Sequence, residues 1–164
     1  MVVGDFVAVG MGAVTGAICR YQVGNVVSRK IANDPNRLSY LTGWHTAGIN
    51  ICGSFVLGAI AGIPDVASAS TKDHPNDFPR TATSTGEAHT NFLSRGISPR
   101  MRLLAGVGFC GSFTTFSTFS VDVVGMLSRG DMTRAFSYMA VNNVGGILAA
   151  FAGFHAVKKM MTRL

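Results

Sequence analysis

The sequence predicts an all-α integral membrane protein with four transmembrane helices, and three observations carry that expectation. Charged residues make up only 13% of the 164-residue chain, about half the share found in soluble globular domains. Mean hydropathy is positive, +0.33, and glycine, which is more frequent in membrane-spanning helices than in soluble ones, occurs 20 times. Apolar runs close to the ~20 residues needed to cross a bilayer core recur four times.

The first run covers about residues 6–27 and is interrupted only by Arg20, Gln22 and Asn25. Asp5 precedes it, and its length exceeds the apolar region of a cleavable signal peptide, so a first span is expected here rather than a leader. The second run, about 44–63, contains no Asp, Glu, Lys or Arg. The third, about 103–127, carries Asp122 alone among charged residues, and the fourth, about 135–157, is uncharged apart from a possible His155. Gly12/Gly16 and Gly58/Gly62 stand at the spacing that lets helix backbones approach closely in lipid, where hydrophobicity cannot drive association. Between spans two and three, residues 64–99 are rich in Ser, Thr, Pro, Asp and Asn without a sustained apolar period. This segment reads as a flexible extramembrane loop insertion into a single four-helix domain of residues 1–164. A turn of interfacial helix at Asn91-Phe92-Leu93 is its one candidate element.

The same composition excludes several function classes. A net charge of +6 would suit nucleic acid, but the basic residues are dispersed among connections and the C-terminus without a dense stripe or a recognisable module. Cys19, Cys52 and Cys110 each sit in an apolar run, lack metal or redox spacing, and read as small packing residues. No His-Glu-x-x-His motif or Ser/His/Asp set points to an enzyme. Four spans place both termini and the long loop on one side. With Lys72 and Arg80 discounted as too far from the membrane, that side has six Lys/Arg against five opposite. The balance leaves insertion direction open, insertion both ways included.

Span three departs from a plain membrane helix. Gly106, Gly108 and Gly111 precede the hydroxyl-bearing Ser112, Thr114, Thr115, Ser117, Thr118 and Ser120. Two readings fit. In one the helix breaks near its middle, which at membrane depth is tolerated only where the backbone is buried in protein or lines a polar cavity, and a cation is a natural partner for the freed carbonyls. In the other it is continuous, with the hydroxyls bonded back to their own carbonyls. Phe109, Phe113, Phe116 and Phe119, at intervals of four, three and three, are expected as one ladder on a helical face. They either pack against lipid and core or border a polar stripe of Thr115, Thr118 and Asp122. A phenyl ring has a positive edge, which suits an anion path.

From Gly108 to Ser120 the run Gly-Phe-Cys-Gly-Ser-Phe-Thr-Thr-Phe-Ser-Thr-Phe-Ser closely resembles the Fluc (CrcB) family of fluoride ion channels. Span one supplies Gly16 through Arg20-Tyr21. Span two supplies Thr46 and Asn50 followed by Gly53-Ser54-Phe55, and span four supplies Tyr138, Asn142 and Gly146. The resemblance covers all four helices; the long 64–99 connection departs from it. It implies a multi-pass cell-membrane protein acting as an antiparallel, dual-topology homodimer, with a broken third helix and two pores that export cytoplasmic fluoride passively. It implies a structural Na+ between subunits, held by the carbonyls of Gly111 and Thr114. Phe116 and Phe119 would be the aromatic pore residues, and Asn50 an amide donor to fluoride. Thr46, Thr115, Thr118, Tyr138 and Asn142 would furnish further donors, although Asn142 stands where relatives often have Ser. Arg20 is a vestibule candidate, equally able to snorkel to headgroups. Asp122 either borders a pore mouth or forms a structural pair. Fluoride replaces its strongly held water only where donors line a narrow, dry path. The alternative is a small four-helix, dual-topology, proton-coupled exporter, which wants an acidic residue in span one, where none occurs between Phe6 and Val27. Neither reading involves nucleic acid.

Overall fold

The computed structural model describes residues 3–38, 42–64 and 96–163. The described chain is helical over most of its apolar runs: α1 (Val3–Asn33), the short α2 (Pro35–Leu38) and α3 (Trp44–Gly62) are followed by a composite third span. That span consists of α4 (Pro99–Arg102), a π-helical stretch α5 (Leu103–Cys110), α6 (Gly111–Phe113) and α7 (Phe116–Ser128), and α8 (Met132–Met161) completes the bundle. Among the described residues, four helical stretches are long and apolar enough to cross a membrane. The expected turn at Asn91–Leu93 and most of the 64–99 connection lie outside the described residues.

The helices overrun the apolar segments. At 1.5 Å per residue, the 31 residues of α1 and the 30 of α8 each extend about 45 Å, past a hydrocarbon core of ~30 Å. Apolar patterning ends where lipid ends, whereas backbone hydrogen bonding continues into the headgroup layer. Lys30 closes α1, and Lys158 and Lys159 close α8, where cations complement the helix carbonyl ends. By contrast α3 stops short at Gly62, because Pro64 forces Ile63 into an extended conformation (φ −80°, ψ 129°).

Two parallel helix pairs build the bundle. α1 packs along α5 and α6, and α3 packs along α8. Glycine makes both seams possible. A Cβ placed on Gly12 would lie 2.0 Å from the Leu104 carbonyl oxygen, and one on Gly16 would lie 2.3 Å from that of Phe109. On the second seam, Gly58 meets the Ala150 carbonyl oxygen at 2.1 Å and Gly62 meets that of Phe154 at 2.6 Å by the same construction. The glycine pairs singled out by spacing therefore lie at the helix contacts.

The remaining packing follows bilayer logic. A core of Ala47, Phe119, Val123, Met126, Ala135 and Tyr138 joins α3, α7 and α8, with Trp44 and Met139 against it. Large apolar side chains elsewhere face outward, as with Val121 at 71% and Ile147 at 69% exposure; water would penalise this surface and lipid does not. At one end of the bundle the Arg102 guanidinium donates to the carbonyls of Ile60 and Ile63, capping α3. Beside it the Ile97 N–H donates to the Pro64 carbonyl at 3.1 Å.

Candidate functional site

The middle of the third span departs from helical geometry at two residues. Thr114 (φ −77°, ψ 157°) and Thr115 (φ −151°, ψ 112°) are extended between α6 and α7. Such a pair leaves peptide groups without helical partners inside the bundle, and each unsatisfied group there costs several kcal/mol. Side chains from two other helices supply what is missing.

Asn50, on α3, makes the largest contribution. Its Oδ1 accepts from the Thr115 N–H at 2.8 Å, while its Nδ2 donates to the Thr115 carbonyl at 3.3 Å and to Asn142 Oδ1 on α8 at 2.9 Å. From α1, the Arg20 guanidinium donates to the Thr114 carbonyl at 3.3 Å. The hydroxyl of Thr114 donates back to the Cys110 carbonyl at 2.9 Å. Thr115 caps α7: its Oγ1 accepts from the Thr118 N–H at 3.2 Å and donates to Thr118 Oγ1 at 3.0 Å. Arg20 thus reaches the interrupted segment from within α1.

The aromatic residues split at the same point. Phe109 and Phe113 stack with centroids 5.5 Å apart, and Phe116 and Phe119 form a second, tilted pair at 5.6 Å. One continuous ladder was expected; the two extended residues between Phe113 and Phe116 turn the helical register and divide it. Within the second pair the environments are opposite. Phe119 is 6% exposed and touches the Tyr138 ring, whereas Phe116 is 76% exposed on the outside of the chain.

Asp122 connects two further expected site residues. Its Oδ2 accepts from the Thr46 hydroxyl at 3.0 Å and from the Tyr138 hydroxyl at 3.1 Å. Thr46 and Tyr138 are almost wholly buried, and Trp44 meets the Tyr138 ring edge-on at 5.7 Å. Sequence reasoning placed Asp122 with Thr115 and Thr118 in one stripe. In the fold those threonines bond to each other, and the carboxylate turns to α3 and α8.

Three cavities border this region. One of about 370 Å3 is lined by Asn50, Thr114, Thr115, Phe116 and Asn142. Another, about 200 Å3, is lined by Arg20, Tyr21, His45, Thr46, Thr115 and Thr118. Thr115 is common to both, so hydroxyl and amide groups run from Arg20 to Asn142 on either side of it. The third, about 430 Å3, is an apolar groove containing Gly111 and Thr114. Gly111 is exposed and helical, and a Cβ there would meet nothing within 4 Å. Neither backbone geometry nor packing within the chain calls for glycine at that position. The oxygens of Gly111 and Thr114 suit a hard cation, being neutral carbonyls beside a helix interruption. The Arg20 contact engages one lone pair of Thr114 and leaves the other. Among the described residues no cluster of His, Cys, Asp or Glu offers a metal site.

Fold and site together define a multi-pass helical membrane protein that carries uncharged hydrogen-bond donors through its interior. The match to known proteins is specific: residues 7–154 fit the family model described as CrcB-like protein, Camphor Resistance (CrcB), and the chain belongs to that family. A protein of Gloeobacter violaceus named fluoride-specific ion channel FluC is 31% identical over 95% of this chain and 98% of its own length. A Pseudomonas fluorescens protein of the same name is 32% identical over 93% of this chain and 95% of its own. One from Leptospira interrogans, likewise named, is 31% identical over 92% and 91%. The chain is accordingly a multi-pass protein of the cell membrane and not an enzyme.

Proposed function

We propose that this chain is a fluoride-selective passive channel, through which fluoride leaves the cytoplasm down its own gradient. The observation that carries the reading is the extended Thr114–Thr115 segment, held by Asn50 and flanked by an exposed Phe116 and a buried Phe119. The names of the relatives support it. Thr118, Thr115, Asn142 and Tyr138 provide donors without positive charge, so the water shell of fluoride is replaced along the path by groups that do not themselves trap the ion. Arg20, beside the cavity containing Thr118 and Thr115, supplies attraction at its entrance.

The working unit in this reading is an antiparallel homodimer with two pores and a broken third helix in each copy. Phe116, turned outward at 76% exposure, completes a pore only when a second copy covers it. Gly111, with open space around it, gives that copy room for close backbone approach. A sodium ion held by the Gly111 and Thr114 carbonyls of both copies would supply positive charge binding four carbonyl dipoles together. This chain's own contribution is the interruption that frees those oxygens, with Asn50 fixing the adjacent peptide.

Purified protein in liposomes tests the proposal. Rapid fluoride efflux without chloride efflux is expected. Absence of fluoride efflux, or efflux that requires a proton gradient, refutes passive conduction and favours the proton-coupled exporter.

A further inference from the structure

Resting on that channel reading, the cavity beside Arg20 holds a donor that the rest of the site leaves unused. His45 is the second residue of α3 and is half-buried. It lines the cavity of about 200 Å3 together with Arg20, Asn25, Thr46 and Thr118. Its Nδ1 is enclosed and has no hydrogen-bond partner among the described residues, whereas Nε2 is not enclosed in that way. Buried N–H groups left without an acceptor are rarer in proteins than under-used acceptors. The neutral ring therefore keeps its lone pair at Nδ1 and its proton at Nε2, the nitrogen that the cavity can reach.

The surroundings of that N–H suit an anion. Among the described residues that line the cavity none is acidic. Arg20 supplies positive charge: a guanidinium has five N–H donors, and one of them goes to the Thr114 carbonyl. Gly43 offers no side chain to cap α3, so the positive end of the helix dipole lies uncovered next to His45. Asp122, which Thr46 contacts, does not line the cavity, and its Oδ2 already accepts from the Thr46 and Tyr138 hydroxyls. The His45 proton thus has no acceptor of the protein's own, and it points where a small anion would arrive.

We infer that His45 is a fluoride-binding residue at the entrance of the pathway: its Nε2–H donates to the ion that Arg20 draws in and directs it toward Thr118. Conduction requires sites favourable enough to enter and weak enough to leave. An uncharged N–H opposite the guanidinium gives the ion a direction without adding a second fixed charge to hold it. No covalent bond forms and no proton is transferred.

The experiment measures fluoride flux from liposomes against fluoride concentration, at one pH, for the full chain and three variants, each checked for unchanged gel-filtration behaviour. A glutamine side chain places its amide nitrogen near the Nε2 position, and an asparagine places its own near Nδ1. His45→Ala and His45→Asn should raise the half-saturating fluoride concentration by about fivefold, the equivalent of one net hydrogen bond, while His45→Gln stays within about twofold of the wild type. Maximal flux, set deeper in the chain at Asn50 and Phe116, should change less. A merely structural histidine would make the glutamine and asparagine variants alike, and that result, or an unchanged half-saturation in His45→Ala, overturns the inference. A second measurement, independent of how the variants fold, uses the wild-type full chain with 15N-labelled histidine in detergent. Of the four histidines, the one whose signal is lost in His45→Gln should carry its neutral-ring proton on Nε2 and shift with added fluoride but not with chloride. A proton on Nδ1, or no response to fluoride, overturns the inference. Loss of wild-type fluoride flux overturns the channel reading and this inference together; normal wild-type flux with unresponsive variants overturns this inference alone.

Discussion

At the scale of single residues, the site is organised around peptide groups as much as side chains. Asn50 makes three hydrogen bonds and ties Thr115 on one side to Asn142 on the other. Asn50→Asp keeps the acceptor for the Thr115 N–H but loses both donated bonds, each worth about 1 kcal/mol, and faces two oxygens with negative charge. A fall in fluoride flux of at least about tenfold is expected in a protein that still elutes as a dimer; unchanged flux would remove Asn50 from the pore. Phe116→Ile tests the aromatic assignment separately. Because the ring lies outside the chain's own core, thermal stability of the subunit should hardly change while fluoride throughput is lost. The residue types of this site were legible from the span-three motif and its resemblance. The Arg20–Thr114 and Asp122–Tyr138 contacts were not, since residues 94 and 16 positions apart are joined only by the folded bundle.

At the scale of helices, hydropathy located every span, because the bilayer imposes the same length and composition rule on each. It could not reveal the π-helical geometry of Leu103–Cys110, the stretch that packs along α1. Glycine spacing marked the seams but did not distinguish packing glycines from Gly111. The two kinds respond oppositely to a methyl group. Gly58→Ala drives its Cβ to 2.1 Å from the Ala150 oxygen, an overpacking expected to destabilise the fold by about 1–3 kcal/mol, measurable as a lower melting temperature and lower yield. Gly111→Ala meets no atom of its own chain and exchanges a poor helix former for a good one, a gain of up to about 1 kcal/mol. Helicity should therefore persist, while the dimer fraction and any sodium-dependent stabilisation fall. If Gly111→Ala dimerises normally and retains sodium dependence, the carbonyl site lies elsewhere.

At the scale of the whole molecule, the proposed reading makes a single chain half of a pathway. One polar cavity opens beside Phe116, and among the described residues four helices are long and apolar enough to span, so on that reading an inverted counterpart would come from another copy. Charge counting left insertion direction undecided because opposing Lys and Arg nearly balance, the pattern expected of a chain that inserts both ways. Cysteine-accessibility labelling from each side of intact cells, at single cysteines placed beyond the end of α8, should modify about equal fractions from either face. Labelling from one face only would rule out dual topology.

The hydrogen bond from Ile97 to Pro64 has an engineering consequence. The chain leaves and re-enters the bundle at a stem closed by one backbone hydrogen bond of 3.1 Å, so the two points that flank residues 65–95 lie side by side. That stem is a natural grafting port. A compact reporter whose termini lie close together, inserted in place of 65–95, should leave helix order and fluoride flux intact. If both copies insert in opposite senses, such a reporter would appear on both faces of the membrane at once.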